Sequence, residues 1–489
     1  MSRSSVAVVA ASRTADYGGQ RFVSLRIFNG HIHRLGLLAL VEASVAVLAL
    51  HAAISLRFAG FSATLGAFES SRGPIWPRAL AIALVFVLAL ATLGLYQLRQ
   101  RARFTGMFVR LLIAMALAQI ALALLFYAVP ALDVGRGVMG LTGALAFAGL
   151  ALTRFMFYRT VDEDFFKRRV LVWGAGARAQ AIGKRLRRRT DQRGFRIVGY
   201  VRAPGDGGDV PKGPLFRANT GLLRLALRSR IEEIVVAMDD RRGSFPTDEL
   251  LECRLRGIQV TDLLTFLERE SGRVSIELMH PSWLIFADGF RCDFLRLATK
   301  RVFDVAVSLG ILVGAAPVAL VTALAVYLED RGPIFYRQWR TGQNGRPFRI
   351  IKFRSMRVNA EADGRAVWAS TNDARVTRVG AWIRRLRIDE LPQVLNVLLG
   401  QMSFVGPRPE RPEFVAQLAE RVPFYEERHF VKPGITGWAQ VRYSYGASAK
   451  DAQEKLEYDL YYVKHHSLAF DLLVLLQTVE IVLFRIGSR

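Results

Sequence analysis

The stretch KRVFDVAVSLGILVGAAPVALVTALAVYLEDRG, residues 300–332, decides how the C-terminal third of this chain folds. Its apolar run, from Val305 to Leu328, is long enough to cross the ~30 Å core of a bilayer as one helix. Pro317 lies near the middle of the run, where it removes a backbone hydrogen bond and bends the helix. The residues that follow are dense in arginine and lysine, which the positive-inside rule disfavours outside the cell. We therefore predict a re-entrant helix over residues 303–328, broken at Pro317, rather than a fifth spanning helix.

Composition and charge narrow the class of protein. A length of 489 residues favours about three domains, and a mean hydropathy of +0.22 favours a membrane protein. The net charge of +25 suits nucleic acid, anionic lipid or phosphorylated substrates as partners. The sequence contains no zinc-finger spacing and no RNP-type aromatic motif, so we expect no nucleic-acid partner. Cys253 and Cys292 lack metal-ligand spacing, which predicts two free cytosolic thiols.

Upstream, the sequence predicts a membrane anchor. Residues 1–34 form a polar, basic tail without a signal-peptide pattern. Four apolar stretches of about 20 residues each occupy residues 35–158 and predict four transmembrane helices. They cover residues 35–56, 78–97, 108–130 and 137–157. Arginine is concentrated in the second connection and after the fourth stretch, so both ends of this predicted four-helix bundle are expected in the cytoplasm.

Residues 165–297 change to a soluble α/β pattern. RVLVWGAGARAQAIGKRL (169–186) predicts a strand, a tight turn and a helix, and Gly174, Gly176 and Ala179 match the G-x-G-x-x-A dinucleotide fingerprint. Alternating strands and helices follow, which predicts a Rossmann-like domain. Arg202 stands where an acidic residue is expected at the end of the second strand. Two interpretations stay open, a nucleotide or phosphate at the helix N-terminus or a structural or regulatory domain with an empty turn.

Downstream, a basic surface precedes an amphipathic helix. PIFYRQWRTGQNGRPFRIIKFRSM (333–356) predicts two strands around a glycine-containing turn, with Arg340, Lys352 and Arg354 on one compact surface. Residues 376–388 predict a basic amphipathic helix, which suits the headgroup layer of a membrane. This arrangement favours a surface between lipid and a polyphosphate.

The stretch RRLRIDELPQVLNVLLGQMSFVGPRPE, residues 384–410, contains the residues best suited to chemistry. It combines the adjacent carboxylates Asp389 and Glu390 with upstream arginines, an apolar run and a turn that carries Arg408. Carboxylate oxygens can hold a metal ion, and arginines suit phosphate oxygens. The combination indicates metal-assisted chemistry on a phosphate beside an apolar group, although such a pair alone is usually only solvated or salt-bridged.

Six motifs in order resemble those of a known family. They are KRVFD (300–304), FYRQWRTG (335–342), KFRSM (352–356), RIDELPQ (387–393), SFVGPRPE (403–410) and KPGITGWAQV (432–441). Together they resemble the bacterial polyprenyl-phosphate hexose-1-phosphate transferases, the monotopic phosphoglycosyl transferases, over residues 298–489. The complete chain resembles the large members that start exopolysaccharide or O-antigen chains, and HPSWLIFADGFR (280–291) resembles the subgroup associated with exosortase/PEP-CTERM systems. The fold implied is membrane α/β, with the four-helix bundle, the Rossmann-like domain and a monotopic α+β catalytic domain.

The resemblance also implies a mechanism and its site residues. Asp389 would attack the sugar-linked phosphate of a UDP-sugar, expel UMP and hold the sugar phosphate covalently until undecaprenyl phosphate accepts it. Glu390 would help to hold Mg²⁺, together with Asp389 as a metal ligand. The implied phosphate or substrate contacts are Arg384, Arg408, Lys352, Arg354 and Arg340. The implied location is the bacterial inner membrane, where the protein contacts lipid and both soluble domains lie in the cytoplasm. A homodimer is one open possibility. The identity of the sugar is also open, with glucose or galactose as our guess.

Two alternatives and one departure from the family pattern remain. A membrane scaffold could recruit polysaccharide machinery through the Rossmann-like domain, and residues 298–489 alone would then lack transfer activity. A membrane-anchored nucleotide-sugar dehydratase would need a Tyr-x-x-x-Lys pair, which this chain lacks.

Ala316 replaces the serine found before Pro317 in many small members, so the geometry of the break is uncertain. The apolar helix predicted near 467–485 is expected to be interfacial or packed on the domain rather than spanning.

Overall fold

The computed structural model describes most of the chain. The described residues are 30–58, 68–70, 73–93, 95–96, 104–160, 167–187, 191–192, 194–207, 211–217, 221–240, 245–279, 289–290, 293–358, 375–443 and 448–484. The predicted tail lies outside them up to residue 29, as do Cys292 and all of HPSWLIFADGFR except residues 289–290. Cys253 is a buried free thiol, as predicted.

Four apolar helices occupy the N-terminal part of the described chain. They are α1 (Gly30–Arg57), α2 (Ile75–Thr92), α3 (Phe104–Ala128) and α4 (Arg136–Thr160). Each contains a segment long and apolar enough to cross a membrane, which confirms the four predicted apolar helices. Helix α3 packs on α2, and its Phe108 meets Phe147 of α4 edge-on, with ring centroids 5.2 Å apart. A single four-helix bundle stays a prediction.

Three arginines are buried beside these helices. The side chains of Arg78, Arg110 and Arg154 are nearly inaccessible to solvent. Arg78 donates to the carbonyl of Ala131, and Arg154 donates to the carbonyl of Leu95. Guanidinium groups that bind backbone carbonyls at helix ends are a low-cost way to bury positive charge.

The chain forms two compact units, residues 1–44 with 157–263 and residues 45–156 with 264–489. The first contains a five-stranded parallel sheet of order β3-β2-β1-β4-β5. Its elements are β1 (Arg168–Trp173), α5 (Ala177–Arg185), β2 (Phe195–Val201), β3 (Leu215–Phe216), α6 (Leu222–Arg228), β4 (Glu233–Val236), α7 (Thr247–Leu255) and β5 (Gln259–Asp262). The central strands are apolar and buried, as expected for a parallel sheet covered on both faces. This is the predicted Rossmann-like arrangement.

Residues 264–279, which sequence patterns group with the Rossmann-like domain, pack instead on the C-terminal part of the second unit. Helix α8 (Leu263–Ser271) leads into this segment. The indole of Trp438 donates to the carbonyl of Gly272 at 2.7 Å, and the Val274 amide donates to the carbonyl of Glu457. A buried cluster that includes Val274, Ile276 and Leu460 completes the contact.

Helix α9 (Phe294–Asp330) runs through Pro317 without interruption. A proline removes only its own N–H bond, so residues on both sides remain helical. The helix has 37 residues and contains a candidate membrane segment. The re-entrant turn at Pro317 therefore stays a prediction, and the helix itself is continuous.

The rest of the second unit is a small α+β domain. After α9 come β6 (Phe335–Thr341), β7 (Pro347–Phe353), α10 (Arg378–Arg385), α11 (Gln393–Leu398), β8 (Ser403–Val405), α12 (Pro412–Arg421), β9 (Gly434–Thr436), α13 (Trp438–Arg442), α14 (Ala449–His465) and α15 (Leu468–Phe484). The predicted hairpin is confirmed, because β6 and β7 pair antiparallel around Asn344 and Gly345, both at positive φ. Helix α15 packs on the domain core through buried Val474 and carries Asp471, whose carboxylate binds Lys300.

Candidate functional site

A short helix and a left-handed residue position the two carboxylates. Thr377 caps α10 by accepting a hydrogen bond from the Gly380 amide at 2.9 Å. The predicted amphipathic helix is thus confirmed but shorter, since it ends at Arg385. Arg387 follows with a φ of 59° and redirects the chain into the 3₁₀ turn that carries Asp389 and Glu390. A non-glycine residue held in this conformation is strained and is common at functional sites.

Glu390 lies in a cluster of cations. Its Oε1 atom is 3.3 Å from the Nζ atom of Lys352 and 3.3 Å from the Nη2 atom of Arg408, while Arg387 lies 3.9 Å away. Burial raises the pKa of Glu390, but Arg408, Lys352 and Arg387 outweigh it and lower that pKa to about 2. Glu390 is therefore ionised at any physiological pH. Burial lowers the pKa of Lys352, an effect that the Glu390 charge opposes.

Asp389, the other carboxylate of the pair, is only 8% accessible to solvent. Its Oδ1 atom is buried and has no hydrogen-bond partner among the described residues. Burial raises the pKa of Asp389, and so does the neighbouring charge of Glu390, while Lys352, Arg384 and Arg387 oppose the rise. An incompletely solvated carboxylate beside cations is a candidate nucleophile, because little must be broken before it reacts.

A cavity of about 440 Å³ opens onto Asp389. Six of the seven residues predicted to bind substrate or perform catalysis line it, namely Asp389, Arg384, Arg408, Lys352, Arg354 and Arg340. Glu390 is not among the lining residues and lies behind Lys352 and Arg408. These six side chains therefore share one cavity, and the two carboxylates have different surroundings; the catalytic and binding roles stay predictions.

The arginines are held by different contacts. Arg384 donates through Nε to the hydroxyl of Ser355 at 2.9 Å, which leaves the end of its guanidinium for other partners. Arg354 is 6% exposed, and its Nη1 atom has no hydrogen-bond partner among the described residues. Arg340 donates to the carbonyl of Pro409 and to the side chain of Gln338. Pre-positioned guanidinium groups around one cavity suit the binding of phosphate oxygens.

Sequence patterns missed a buried network on the opposite wall. Arg428 donates to the carboxylate of Asp459 at 2.8 Å and 3.1 Å, to the hydroxyl of Tyr425 and to the carbonyl of Arg408. The network fixes the backbone that carries the Arg408 side chain. Arg428 and Asp459 are 31 residues apart, and no local pattern links them.

Gln440 was also missed, although it lies within the motif KPGITGWAQV. It lines the cavity from α13, and its Nε2 atom is buried without a hydrogen-bond partner among the described residues. An unsatisfied amide donor in a cavity wall is a ready contact for a polar ligand group.

The carboxylates fit a magnesium ion by donor type. No group of three or more His, Cys, Asp or Glu side chains that could hold a metal occurs among the described residues. Magnesium commonly uses only one or two carboxylates and completes its shell with water and substrate phosphates. Asp389 and Glu390 supply carboxylate oxygens of this type, and the Oδ1 atom of Asp389 has no hydrogen-bond partner among the described residues.

The other predicted residues are not among those that line the cavity. Gly174 and Gly176 form the turn between β1 and α5, and Ala179 is fully buried in α5. Gly174 adopts a φ of 122°, which favours glycine. Pro317 lies inside α9.

Two family profiles match separate parts of the chain. The profile described as bacterial sugar transferase matches residues 295–485, and one described as CoA-binding domain matches residues 91–244. The first match contains every residue of the cavity described above.

Curated relatives extend this similarity. The chain is 43% identical over 240 residues to the UDP-N-acetylgalactosamine-undecaprenyl-phosphate N-acetylgalactosaminephosphotransferase of Aeromonas hydrophila, covering 49% of this chain and 56% of the relative. It is 35% identical over 347 residues to the undecaprenyl-phosphate glucose phosphotransferase of Komagataeibacter xylinus, covering 69% and 63%. The matches thus span less than two thirds of these two relatives. It is 34% identical over 325 residues to the UDP-glucose:undecaprenyl-phosphate glucose-1-phosphate transferase of Escherichia coli K12, covering 65% and 68%. With its sugar transferase profile match and these relatives, the chain belongs to the bacterial polyprenyl-phosphate sugar phosphotransferase family.

Proposed function

We propose that this protein transfers a hexose 1-phosphate from a UDP-sugar to undecaprenyl phosphate and so starts an exopolysaccharide or O-antigen chain. The observation that carries the proposal is the buried Asp389 carboxylate, which lines a cationic cavity with one oxygen lacking a hydrogen-bond partner among the described residues. The relatives' names support the acceptor, because all three contain undecaprenyl phosphate. Their sugars differ between N-acetylgalactosamine and glucose, so the donor sugar is left to a screen of UDP-sugars for UMP release.

The chemistry follows from the surroundings of Asp389. A carboxylate attacks a diphosphate slowly unless nearby cations offset the charge repulsion. An oxygen of Asp389 forms a bond to the sugar-linked phosphorus, the bond from that phosphorus to the bridging oxygen breaks, and UMP leaves with the electron pair. A phosphate oxygen of undecaprenyl phosphate then attacks the same phosphorus, which releases Asp389 as a carboxylate and forms the lipid diphosphosugar. Donor and acceptor use one site in turn, so ping-pong kinetics are expected.

The cations divide the remaining work. Lys352 and Arg408 hold Glu390 and stand beside the reacting phosphorus, while Arg384 and Arg354 extend the cationic wall. Arg340 is anchored by Gln338 and the carbonyl of Pro409 at the cavity edge, and it is the more remote phosphate contact. Fixed donors of this kind stabilise the charge that develops on transferring phosphoryl oxygens.

Asp389 and Glu390 would hold Mg²⁺. When bound, the ion would offset the negative charge of the diphosphate and of the leaving UMP. Chelation with EDTA is expected to abolish UMP release and added Mg²⁺ to restore it. Undiminished release in EDTA, with metal content measured as zero, would remove magnesium from the proposal and leave the covalent step intact.

The contacts of α9 support a monotopic placement on the cytoplasmic face of the inner membrane. Near the start of α9, Asp304 accepts hydrogen bonds from the hydroxyl of Ser403 and the amide of Phe404 in β8. Near its end, Glu329 accepts from the amide of Arg378 at the start of α10. Both ends therefore contact the same small domain, whereas a spanning helix would need its ends on opposite sides of the bilayer. The exposed residues between them are apolar and suit lipid: Leu309, Val313, Leu320, Val321 and Leu324.

Asp389→Asn in membranes supplied with labelled UDP-sugar and undecaprenyl phosphate tests the assignment. The amide is a far weaker nucleophile, so UMP release and lipid labelling are both expected to stop. Wild-type protein given UDP-sugar alone should gain the mass of one sugar phosphate on the peptide that contains Asp389. The matched control is Asp248→Asn, at the exposed start of α7 in the Rossmann-like unit, which should retain labelling. Lipid labelling at the wild-type rate in Asp389→Asn would rule out this nucleophile.

A further inference from the structure

We propose that the glycine turn of the Rossmann-like unit is closed by the chain's own carboxylates and does not receive the phosphates of a dinucleotide or of coenzyme A. In Rossmann domains the turn after the first strand and the N-terminus of the next helix bind a diphosphate through free backbone N–H groups. Both the fingerprint and the description of the matching profile imply such a ligand. In this structure three of those N–H groups, on Ala175, Ala177 and Arg178, already have side-chain acceptors.

Asp239 occupies the N-terminus of α5. Its Oδ2 atom accepts from the amide of Ala177 at 2.9 Å, and its Oδ1 atom accepts from the amide of Arg178 at 2.8 Å. Both carboxylate oxygens are thus bonded to the first two amides of the helix. A negative charge there also interacts favourably with the helix dipole, as a bound phosphate would. Asp239 therefore takes the position and the role of the anion.

Asp206 closes the other side of the turn. Its Oδ2 atom accepts from the amides of Ala175 at 2.7 Å and Ala203 at 2.8 Å. Its Oδ1 atom accepts from the amide of Asp239 at 3.3 Å, which ties the two carboxylate loops together. Three amides of the turn and the helix start, those of Ala175, Ala177 and Arg178, are thus used by side chains of the same unit.

The sheet order explains why these two aspartates meet. Strands β2 and β4 flank β1 on either side, and Asp206 and Asp239 follow the carboxyl ends of β2 and β4. This is the crevice where open α/β sheets bind ligands. An acidic residue is also expected after the second strand, where it would bind a ribose hydroxyl. Asp206 comes four residues after Arg202 and turns back to the glycine turn instead.

The glycines are explained by this closure without a ligand. A Cβ atom added to Gly176 would overlap the Asp239 carboxylate, with the Cγ atom 2.6 Å away. Gly176 has a φ of −96°, which any residue adopts, so its backbone conformation does not require glycine. The close approach that the fingerprint provides for a pyrophosphate is used here for Asp239. Two carboxylates in the turn would also repel an incoming phosphate.

A double-mutant cycle in the full-length protein tests the closure. Gly176→Ala is expected to lower the melting temperature in the wild-type background, and the loss should shrink in an Asp239→Ala background because the overlapping side chain is gone. Gly183→Ala in the same helix is the matched control, since an added Cβ there meets no atom within 4 Å. It should not lower the melting temperature in either background. Equal losses from Gly176→Ala in both backgrounds would overturn the proposal.

Ligand binding provides an independent test that does not depend on transferase activity. Coenzyme A, NAD⁺ and pyrophosphate are each expected to leave hydrogen exchange in the peptide spanning residues 174–180 unchanged in the wild type. Asp239→Ala should speed exchange in that peptide, because the Ala177 and Arg178 amides lose their acceptor, and pyrophosphate should then slow it again. Protection of the wild-type peptide by coenzyme A or NAD⁺ would overturn the proposal, as would unchanged exchange in Asp239→Ala. The Asp248→Ala variant, at the start of α7, controls for loss of a helix N-terminal charge.

Discussion

Replacing Glu390 with glutamine is expected to destabilise the catalytic domain strongly at neutral pH and progressively less in acid. The side chain is 13% exposed and has Lys352 and Arg408 within 3.3 Å, so glutamine keeps its shape but leaves two partly buried cations without their counter-charge. A folded-state pKa of about 2, against an ordinary value of 4.5, corresponds to about 3 kcal/mol of stability at pH 7.

The direction of the pH dependence follows from the lowered pKa. The contribution of Glu390 is complete above pH 4.5, the ordinary pKa, and is lost as the pH falls toward about 2. The difference between wild type and Glu390→Gln should therefore decrease from about 3 kcal/mol at pH 7 to about 1 kcal/mol at pH 3. The pH dependence that comes from Glu390 is therefore expected only between its lowered pKa and its ordinary pKa.

Urea unfolding in detergent at several pH values measures this difference. The control is Glu413→Gln, whose carboxylate is 62% exposed and lies 3.8 Å from Arg411. An exposed pair of this kind contributes at most about 1 kcal/mol, so the control should unfold close to wild type. A Glu390→Gln protein that unfolds like Glu413→Gln at pH 7, or that loses equal stability at pH 7 and pH 3, would show that the cations do not hold this carboxylate as described.

Two further substitutions probe the walls of the cavity. Arg408→Lys keeps the charge but loses the planar guanidinium, so kcat/KM for UMP release is expected to fall about 10- to 100-fold, as for the loss of one or two charged hydrogen bonds. Steady-state assays at saturating Mg²⁺ measure this ratio. A fall below twofold would contradict a phosphate role for Arg408. Arg428→Met leaves Asp459 buried without its partner and is expected to cost about 3–5 kcal/mol of stability, measured by urea unfolding. The double variant Arg428→Met/Asp459→Leu should regain part of the loss. No recovery would indicate a role for Arg428 other than neutralising Asp459.

Local patterns predicted most of the secondary structure because the rules involved act over a few residues. Apolar length predicted α1 to α4, and the alternation around a glycine turn predicted the β6–β7 hairpin. The helical period placed Ile383 on the buried face of α10, where it packs in a cluster with Val326 and Phe353. The left-handed Arg387 that ends this helix region was not predicted, since an arginine carries no intrinsic preference for that conformation.

Long-range contacts were the part that the sequence could not supply. The arginines around Asp389 were predicted because they share its basic, motif-rich segment or match family positions. Arg428 and Asp459 form a buried pair across 31 residues, and neither belongs to one of the six motifs. The packing of residues 264–279 was not predicted for the same reason, because it depends on Trp438 and Glu457 far along the chain.

Two pairs of acidic residues in this chain show how hydrogen-bond satisfaction separates a reactive carboxylate from a structural one. At the glycine turn, both oxygens of Asp239 and both oxygens of Asp206 accept backbone N–H bonds. A carboxylate whose two oxygens are both hydrogen-bonded is stabilised in its ionised form. In the cavity, Glu390 is similarly neutralised by Lys352 and Arg408, whereas Asp389 keeps a buried oxygen without a partner among the described residues. Burial and the charge of Glu390 raise the pKa of Asp389, which means that its ionised form is less stable than it would be in water. In the proposed mechanism, phosphoryl transfer would relieve that condition, because the carboxylate of Asp389 would form a bond to phosphorus. In sequence, the glycine turn matches a binding fingerprint and the Asp-Glu pair matches a catalytic motif equally well. The two sites differ in their hydrogen bonds: both oxygens of Asp239 accept backbone N–H bonds, whereas Asp389 keeps one oxygen without a partner among the described residues.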